Sequence, residues 1–381
     1  MPFLQRAQQD LAAELLQKYG RASNDFFKLW PEKEFYFTSD RHGFVSYGVS
    51  HNVAYVYGDP VAAEEEMATT IRAFVAYCHE KKWMPVFHQV LPDFLPIYQA
   101  LDFHPFKASE EAIVDLTTFT TAGHAGKGFR NTLSRMERDG IHTQLFEPPV
   151  PDPIIEQARI VSDSWLASGR RERKFVLGRF ETDYVRNTPM MAAFNGNGIM
   201  LGFVNMIPCY ARHTATIDLM RHRADAPNSL MDYLFLKLFA YNQAQGVHYF
   251  SMGPAPITHL ASGETATREE TIFYELTHVL DAFFSMEGLR TYKAKFATIW
   301  EPRYIIHRRV TDWPRVVNAF TALTEFEESK QPLLGKQRRQ QMRQVTTEVI
   351  AEIRRIRAER QVAKETRPVD TPNESPAGQS S

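Results

Sequence analysis

The chain has 381 residues, 44% of them apolar and 23% charged, which is enough to bury two cores of moderate size. Lys and Arg total 44 against 45 Asp and Glu, so overall charge does not mark a nucleic-acid binder, and any attraction of charged partners must come from local patches. The two cysteines, Cys78 and Cys209, exclude a disulfide framework or a zinc-ligand cluster and fit a reducing cytoplasm.

At the N-terminus an amphipathic helix is interrupted by Arg6 and Asp10, which argues against a signal peptide. No stretch approaches the roughly 20 apolar residues that span a bilayer. The expected location is cytoplasmic, with any membrane contact peripheral and from the inner face. Strand-like runs follow at 35–37, 44–49 and 53–57, alternating or rich in aromatic and β-branched residues. Gly58-Asp59-Pro60 marks a turn. A helix over 62–80 carries Met67, Ile71, Phe74, Val75 and Cys78 at helical spacing. A strand at 84–90, a helix at 92–101 and a strand at 112–116 complete the block.

The second block opens on a basic helix over 128–139 and continues with helices at 153–167 and 179–188. Strands are expected at 190–194, 199–208 and 214–219, then a helix at 229–245 and a strand at 247–252. Gly253-Pro254-Ala255-Pro256 reads as a hard break into a loop. Two successive units of antiparallel strands, helix, strand, helix and strand predict an α+β fold. The expected division is residues 1–120, residues 121–325 with the active site, a basic helical extension over 326–365 and a disordered tail over 366–381. Between Lys336 and Lys364 nine basic residues face three acidic ones. That helix reads as a solvated appendage or coiled-coil stripe, or as a basic surface for anionic lipid or tRNA phosphates.

Several chemistries have no motif here. Gly-x-Ser-x-Gly, the Walker loop, Gly-x-Gly-x-x-Gly and His-Glu-x-x-His are all absent. His51, His88, His104 and His222 lack partners at metal-ligand spacing, so neither metal nor cofactor is expected. The nearest approach to a pyrophosphate loop, Gln243 to His248, ends on a histidine where a small residue is needed, which leaves acetyl-CoA use unsupported.

The strongest pair is Asp218 and Arg221. Residues three apart on a regular strand face opposite sides, so the two converge only if the strand ends near Leu219. A structural ion pair is the plain reading. The functional one gives Arg221 a phosphate or carboxylate to grip and Asp218 a hydroxyl proton to accept. Lys293 and Lys295 are anchored by Tyr292 and Phe296. Glu301 and Arg303 share one face of an expected strand, either as a structural pair or in contact with substrate. Arg130 belongs to a basic helix start suited to an anion.

These segments, together with Val56-Tyr57-Gly58-Asp59-Pro60, Ser109 to Leu116, Asp163-Ser164-Trp165-Leu166, Met231-Asp232-Tyr233 and Trp300 to Tyr304, resemble a known family. It is the C-terminal catalytic domain of aminoacyl-phosphatidylglycerol synthases, including lysylphosphatidylglycerol synthetase, also termed multiple peptide resistance factor. The likeness runs in order over about residues 30 to 308. It implies tandem GNAT-like folds and transfer of an amino acid from aminoacyl-tRNA to a glycerol hydroxyl of phosphatidylglycerol. By the same likeness Asp218, Arg221, Lys293 and Lys295 would hold the tRNA end and the lipid headgroup. Well-known members carry N-terminal transmembrane helices, so a separate membrane protein is a further expected partner. Ser109 stands where the family usually has glycine, and Ala297-Thr298 replaces its Asn/Asp-Pro. A CoA-dependent N-acyltransferase and a non-catalytic tRNA- or lipid-binding module are the alternative readings.

Overall fold

The structure, a computed structural model, describes residues 2–257 and 286–325. The expected C-terminal helix and tail lie outside the described residues. The first unit contains α1 (Pro2–Tyr19), β1 (Glu34–Phe37), β2 (Phe44–Ser50), β3 (Val53–Tyr57), α2 (Met67–Glu80), β4 (Met84–Val90), α3 (Leu95–Gln99) and β5 (His104–Asp115). After α4 (Lys127–Arg138) come β6 (His142–Phe146), α5 (Asp152–Ala167), α6 (Thr182–Arg186), β7 (Met190–Phe194), β8 (Met200–Ile207) and β9 (Thr214–His222). The chain continues with α7 (Leu230–Ala244), β10 (Tyr249–Pro256), α8 (Met286–Lys293), β11 (Ile299–His307) and α9 (Trp313–Thr324).

Both units follow the expected α+β order. An antiparallel meander leads into a parallel β-α-β crossover, β3-α2-β4 in the first unit and β9-α7-β10 in the second. A parallel neighbour cannot be reached by a tight turn, so each crossover needs its helix. Helix α2 inserts Ile71, Phe74 and Cys78 against Val45, Val56 and Phe87. Helix α7 is buried along most of its length and packs Leu234, Phe235 and Phe239 onto Val204, Ile217 and Phe250. Each such aromatic contributes roughly 1.5–3 kcal/mol by leaving water.

The two units share one sheet of eleven strands in the order β1-β2-β3-β4-β11-β5-β10-β9-β8-β7-β6. Each unit's last strand lies beside the parallel strand of the other: β11 pairs with β4, and β5 pairs with β10. A division at residue 120 is therefore crossed by the sheet itself. It is also crossed by a core in which Tyr55 and Tyr57 meet Phe175, Val176, Ile207 and Trp313.

The expected loop at Gly253 is a bulge inside β10. The register against β5 shifts between Ser251 and Pro254, and Gly253 takes φ +80°, which glycine adopts without steric cost. Two more irregularities lie beside it, at Tyr304 of β11 against β4 and against β5. Three register shifts thus fall in the four central strands, where the exchange occurs.

Candidate active site

A cavity of about 500 Å³ opens on one face of the sheet at this exchange. Its floor is Glu111, in mid-β5, which faces Glu301 of β11 and Pro254 of β10 across the ladders. Glu111 accepts hydrogen bonds from the hydroxyls of Ser23 and Ser251 and forms an ion pair with Arg303. Both charges are nearly inaccessible, at 2% and 3% exposure, so their pairing and hydrogen bonds have to offset the cost of desolvation. Burial pulls the Arg303 guanidinium down to about 10, so it stays charged at neutral pH. Arg303 also donates to Glu301 Oε2 at 3.2 Å.

The loop after α1 supplies one wall. Asp25 accepts the backbone N–H groups of Arg21 and Ala22 at 2.8 and 3.0 Å and pairs with buried Lys28 at 2.6 Å. This fixes Ser23 over Glu111. Asp59 plays the same part for the turn carrying Asp93, accepting from the Leu91 N–H at 2.9 Å and the Tyr98 hydroxyl at 3.0 Å. Burial pushes the Asp59 carboxyl up to about 6. At the rim Arg21 pairs with Asp93, while Glu301, Arg212 and Tyr249 are exposed. Burial and the nearby Asp93 raise the Glu301 carboxyl above the usual range.

Asp218 and Arg221 meet on the same face by a route the sequence did not suggest. Strand β9 does not end near Leu219 but runs to His222. Its pairing with β8 jumps from Met206–Ile217 to Val204–Met220, so Asp218 and Leu219 together oppose Asn205. The bulged residue restores a common side to positions three apart. The Asn205 Oδ1 replaces the missing ladder acceptor, taking the Leu219 N–H at 2.7 Å.

The two side chains do not pair with each other. Asp218 accepts from the Tyr184 hydroxyl at 2.6 Å and the Gly178 N–H at 3.1 Å, and burial raises it to about 6. A methyl group on Gly178 would overlap the Asp218 carboxylate. Arg221 donates to Ser162 and, at 2.6 Å, to Glu172, with Trp165 under its guanidinium at 4.8 Å. Glu172 in turn accepts the Phe180 N–H at 2.7 Å. Asp218 and Arg221 thereby hold the 172–184 segment against the sheet, and neither lines the cavity. Tyr57 joins that segment to the cavity wall, accepting from Asn24 Nδ2 at 2.9 Å and donating to the Val176 carbonyl at 3.4 Å.

Lys293 and Lys295 lie on the opposite face, where Tyr292 and Phe296 enter the core beneath α7. The Lys293 Nζ is buried and donates to the carbonyls of Gly253 and Pro254 at 3.0 and 2.9 Å. Lys295 pairs with Asp232 of α7 at 3.3 Å. Arg130 folds back onto its own loop, donating to the carbonyls of Thr121 and Gly123. Of the expected site residues the structure brings Arg303 and Glu301 to the cavity, and it sets Asp218 and Arg221 behind one wall. The sequence reading missed Glu111, Ser23, Ser251 and Asp93. A carboxylate directly before Ala112-Ile113-Val114 was the available signal, because a charge inside a strand run requires a partner.

The family model for the C-terminal part of phosphatidylglycerol lysyltransferase matches residues 13–307. Phosphatidylglycerol lysyltransferase of Bacillus subtilis (strain 168) is 32% identical over 299 residues, covering 78% of this chain and 35% of that protein. The Staphylococcus aureus (strain MRSA252) enzyme of the same name is 29% identical over 296 residues, covering 78% and 35%. The chain thus spans about a third of the length of these curated relatives. Among solved structures, L-PGS from Bacillus licheniformis superposes with a TM-score of 0.74 at 29% identity, covering 82% of this chain and 95% of that one. A C-terminal domain from Agrobacterium fabrum, provisionally named a lysylphosphatidylglycerol synthetase, gives 0.74 at 30% identity over 84% and 98%. With the model spanning most of its length, including the strand exchange and the cavity floor, the chain belongs to the phosphatidylglycerol lysyltransferase C-terminal family.

Proposed function

We propose that this chain transfers an amino acid from the 3′ end of an aminoacyl-tRNA to a hydroxyl of an anionic lipid such as phosphatidylglycerol. The observation that carries this reading is the buried Glu111–Arg303 pair under a cavity whose rim holds Asp93 and Glu301. An aminoacyl ester brings an ammonium group, and the Asp93 carboxylate at the rim, beside Arg21, is placed to meet it. A lysyl group, as in the name of the relatives, adds a second cation suited to the same acidic rim.

The reaction exchanges one ester for another. The lipid hydroxyl oxygen bonds to the ester carbonyl carbon, the bond from that carbon to the ribose oxygen breaks, and the hydroxyl proton ends on the ribose. Glu301, with its proton affinity raised, takes that proton as the new bond forms. Arg303, clamped by Glu111, presents fixed positive charge to the carbonyl oxygen, so positioning and electrostatics supply most of the rate. Asp218 and Arg221 act through the wall they hold. Among the described residues no helix is long and apolar enough to cross a membrane.

The test is incubation with a mixture of charged tRNAs and lipid extract, followed by mass spectrometry of the lipids. We expect a new aminoacylated lipid that Glu301→Gln reduces by at least a hundredfold. If no charged tRNA yields such a product, the assignment fails.

A further inference from the structure

We propose that the outer face of α4 is a docking rail for the phosphate backbone of double-stranded RNA, a role that rests on the tRNA-dependent reading above. Lys127, Asn131, Ser134 and Arg138 fall on one line of the helix, flanked by Arg130 and Arg135. All six are exposed. The opposite side is already spent: Phe129, Leu133 and Met136 pack into the core beneath α7. Arg130 and Arg135 meet only backbone carbonyls, the latter that of Asn228 at 3.0 Å, and the acid of this helix, Glu137, is taken by Lys237 at 2.8 Å. Among the described residues none of the four cations has a carboxylate partner, so the stripe keeps its full charge on a chain that is nearly neutral overall.

Length and position agree with this partner. From Lys127 to Arg138 the helix rises about 16 Å, enough to follow several phosphates along a duplex. The stripe lies on the α7 side of the sheet, opposite the cavity, and is joined to the cavity-lining strands through the core. Phe129 stacks on Phe296 at 5.4 Å, just before β11 begins at the cavity-lining Ile299. The Leu116 N–H donates to His248 O at 2.8 Å, next to Tyr249 on the rim. A stem lying on α4 would send a single-stranded 3′ end around the strand ends to Tyr249 and Arg212. A lipid surface fits less well. An interfacial helix buries an apolar face, and among the described residues the large apolar side chains that are exposed, Ile160, Leu177, Ile199 and Tyr249, lie outside α4.

The experiment measures binding of a fluorescent acceptor-stem hairpin to the full chain across a salt series. It compares wild type with Lys127→Ala/Arg138→Ala and Lys127→Glu/Arg138→Glu. The alanine pair should lower the salt slope by roughly two, about one per lost phosphate contact, and the glutamate pair should weaken binding about tenfold or more. Unfolding temperatures should stay unchanged, because both side chains are exposed. Unaltered affinity and slope in both variants overturn the rail. So does loss of binding to phosphatidylglycerol vesicles with hairpin binding intact, which would give the stripe to the membrane. A wild-type chain that binds the hairpin through these residues yet transfers nothing from charged tRNA supports the rail and sinks the reading above it.

Discussion

Asp218 and Arg221 stand three residues apart in one strand yet face the same side of the sheet, because Asp218 and Leu219 together oppose Asn205. The Asn205 side chain holds that bulge from β8. It accepts the Leu219 N–H and donates to Thr188 Oγ1 at 3.1 Å, with no exposure to solvent. Asn205→Leu should leave a buried N–H without a partner and cost about 1–3 kcal/mol in denaturant unfolding. Transfer activity should fall further than stability, as the 172–184 segment loses its anchor. A variant with wild-type midpoint and rate would show that the bulge does not depend on Asn205.

The exchanged strands lead to a second expectation. Residues 1–120 alone lack the partner that separates β4 from β5, and residues 121–325 alone lack the strand between β10 and β11. Each fragment would expose strand edges and half of the shared Tyr55–Phe175 core. Expressed separately, both should be insoluble or show no cooperative unfolding, whereas co-expression should restore a soluble complex. Cooperative thermal unfolding of the 1–120 fragment by itself would contradict this.

Much of the fold was legible because its signals are local. The β-branched and aromatic run of β3 and the helical spacing of α2 depend only on neighbours in sequence. Strand β5 was read only from residue 112, whereas it begins at His104. Its first half carries Lys107, Ser109, Glu110 and Glu111; Lys107 and Glu110 pair locally, but both carboxylates also need distant partners. Arg303, Ser251 and Arg290 supply them, and nothing in the local sequence announces their arrival. The same cause divided the candidate site. Lys293 and Asp218 look alike as charges in a sequence, but the sheet places them on opposite faces.

The Glu111–Arg303 pair should be costly to break and less costly to remove whole. Glu111→Gln or Arg303→Met leaves one buried charge unmatched, for which roughly 3–5 kcal/mol is expected. The double variant should recover part of that loss, so a double-mutant cycle in urea should give a coupling of at least about 1 kcal/mol. Activity should not recover with stability, since both cavity-floor charges are then gone. Additive stabilities would mean that Ser23 and Ser251, rather than Arg303, carry the charge of Glu111.

Lys293 provides a pH signature of its own. Burial lowers its ammonium to about 7, against an ordinary value of 10.5, so the folded protein releases this proton more easily than the unfolded chain. The unfolded state therefore binds more protons between those values, and stability should rise with pH across that window. The cost of burying the charge is full below about pH 7 and gone by about 10.5, a difference of roughly 3–5 kcal/mol. Lys293→Met should flatten the rise. It should also slow transfer, because the carbonyls of Gly253 and Pro254 lose their donor and the bulge they form carries Ser251 to Glu111 on the other face. Lys293→Arg keeps a donor but cannot shed its charge, so it should restore neither the slope nor the fit. Measuring unfolding midpoints of the three proteins from pH 6 to 10 decides the point, and parallel curves for wild type and Lys293→Met would assign the titration elsewhere.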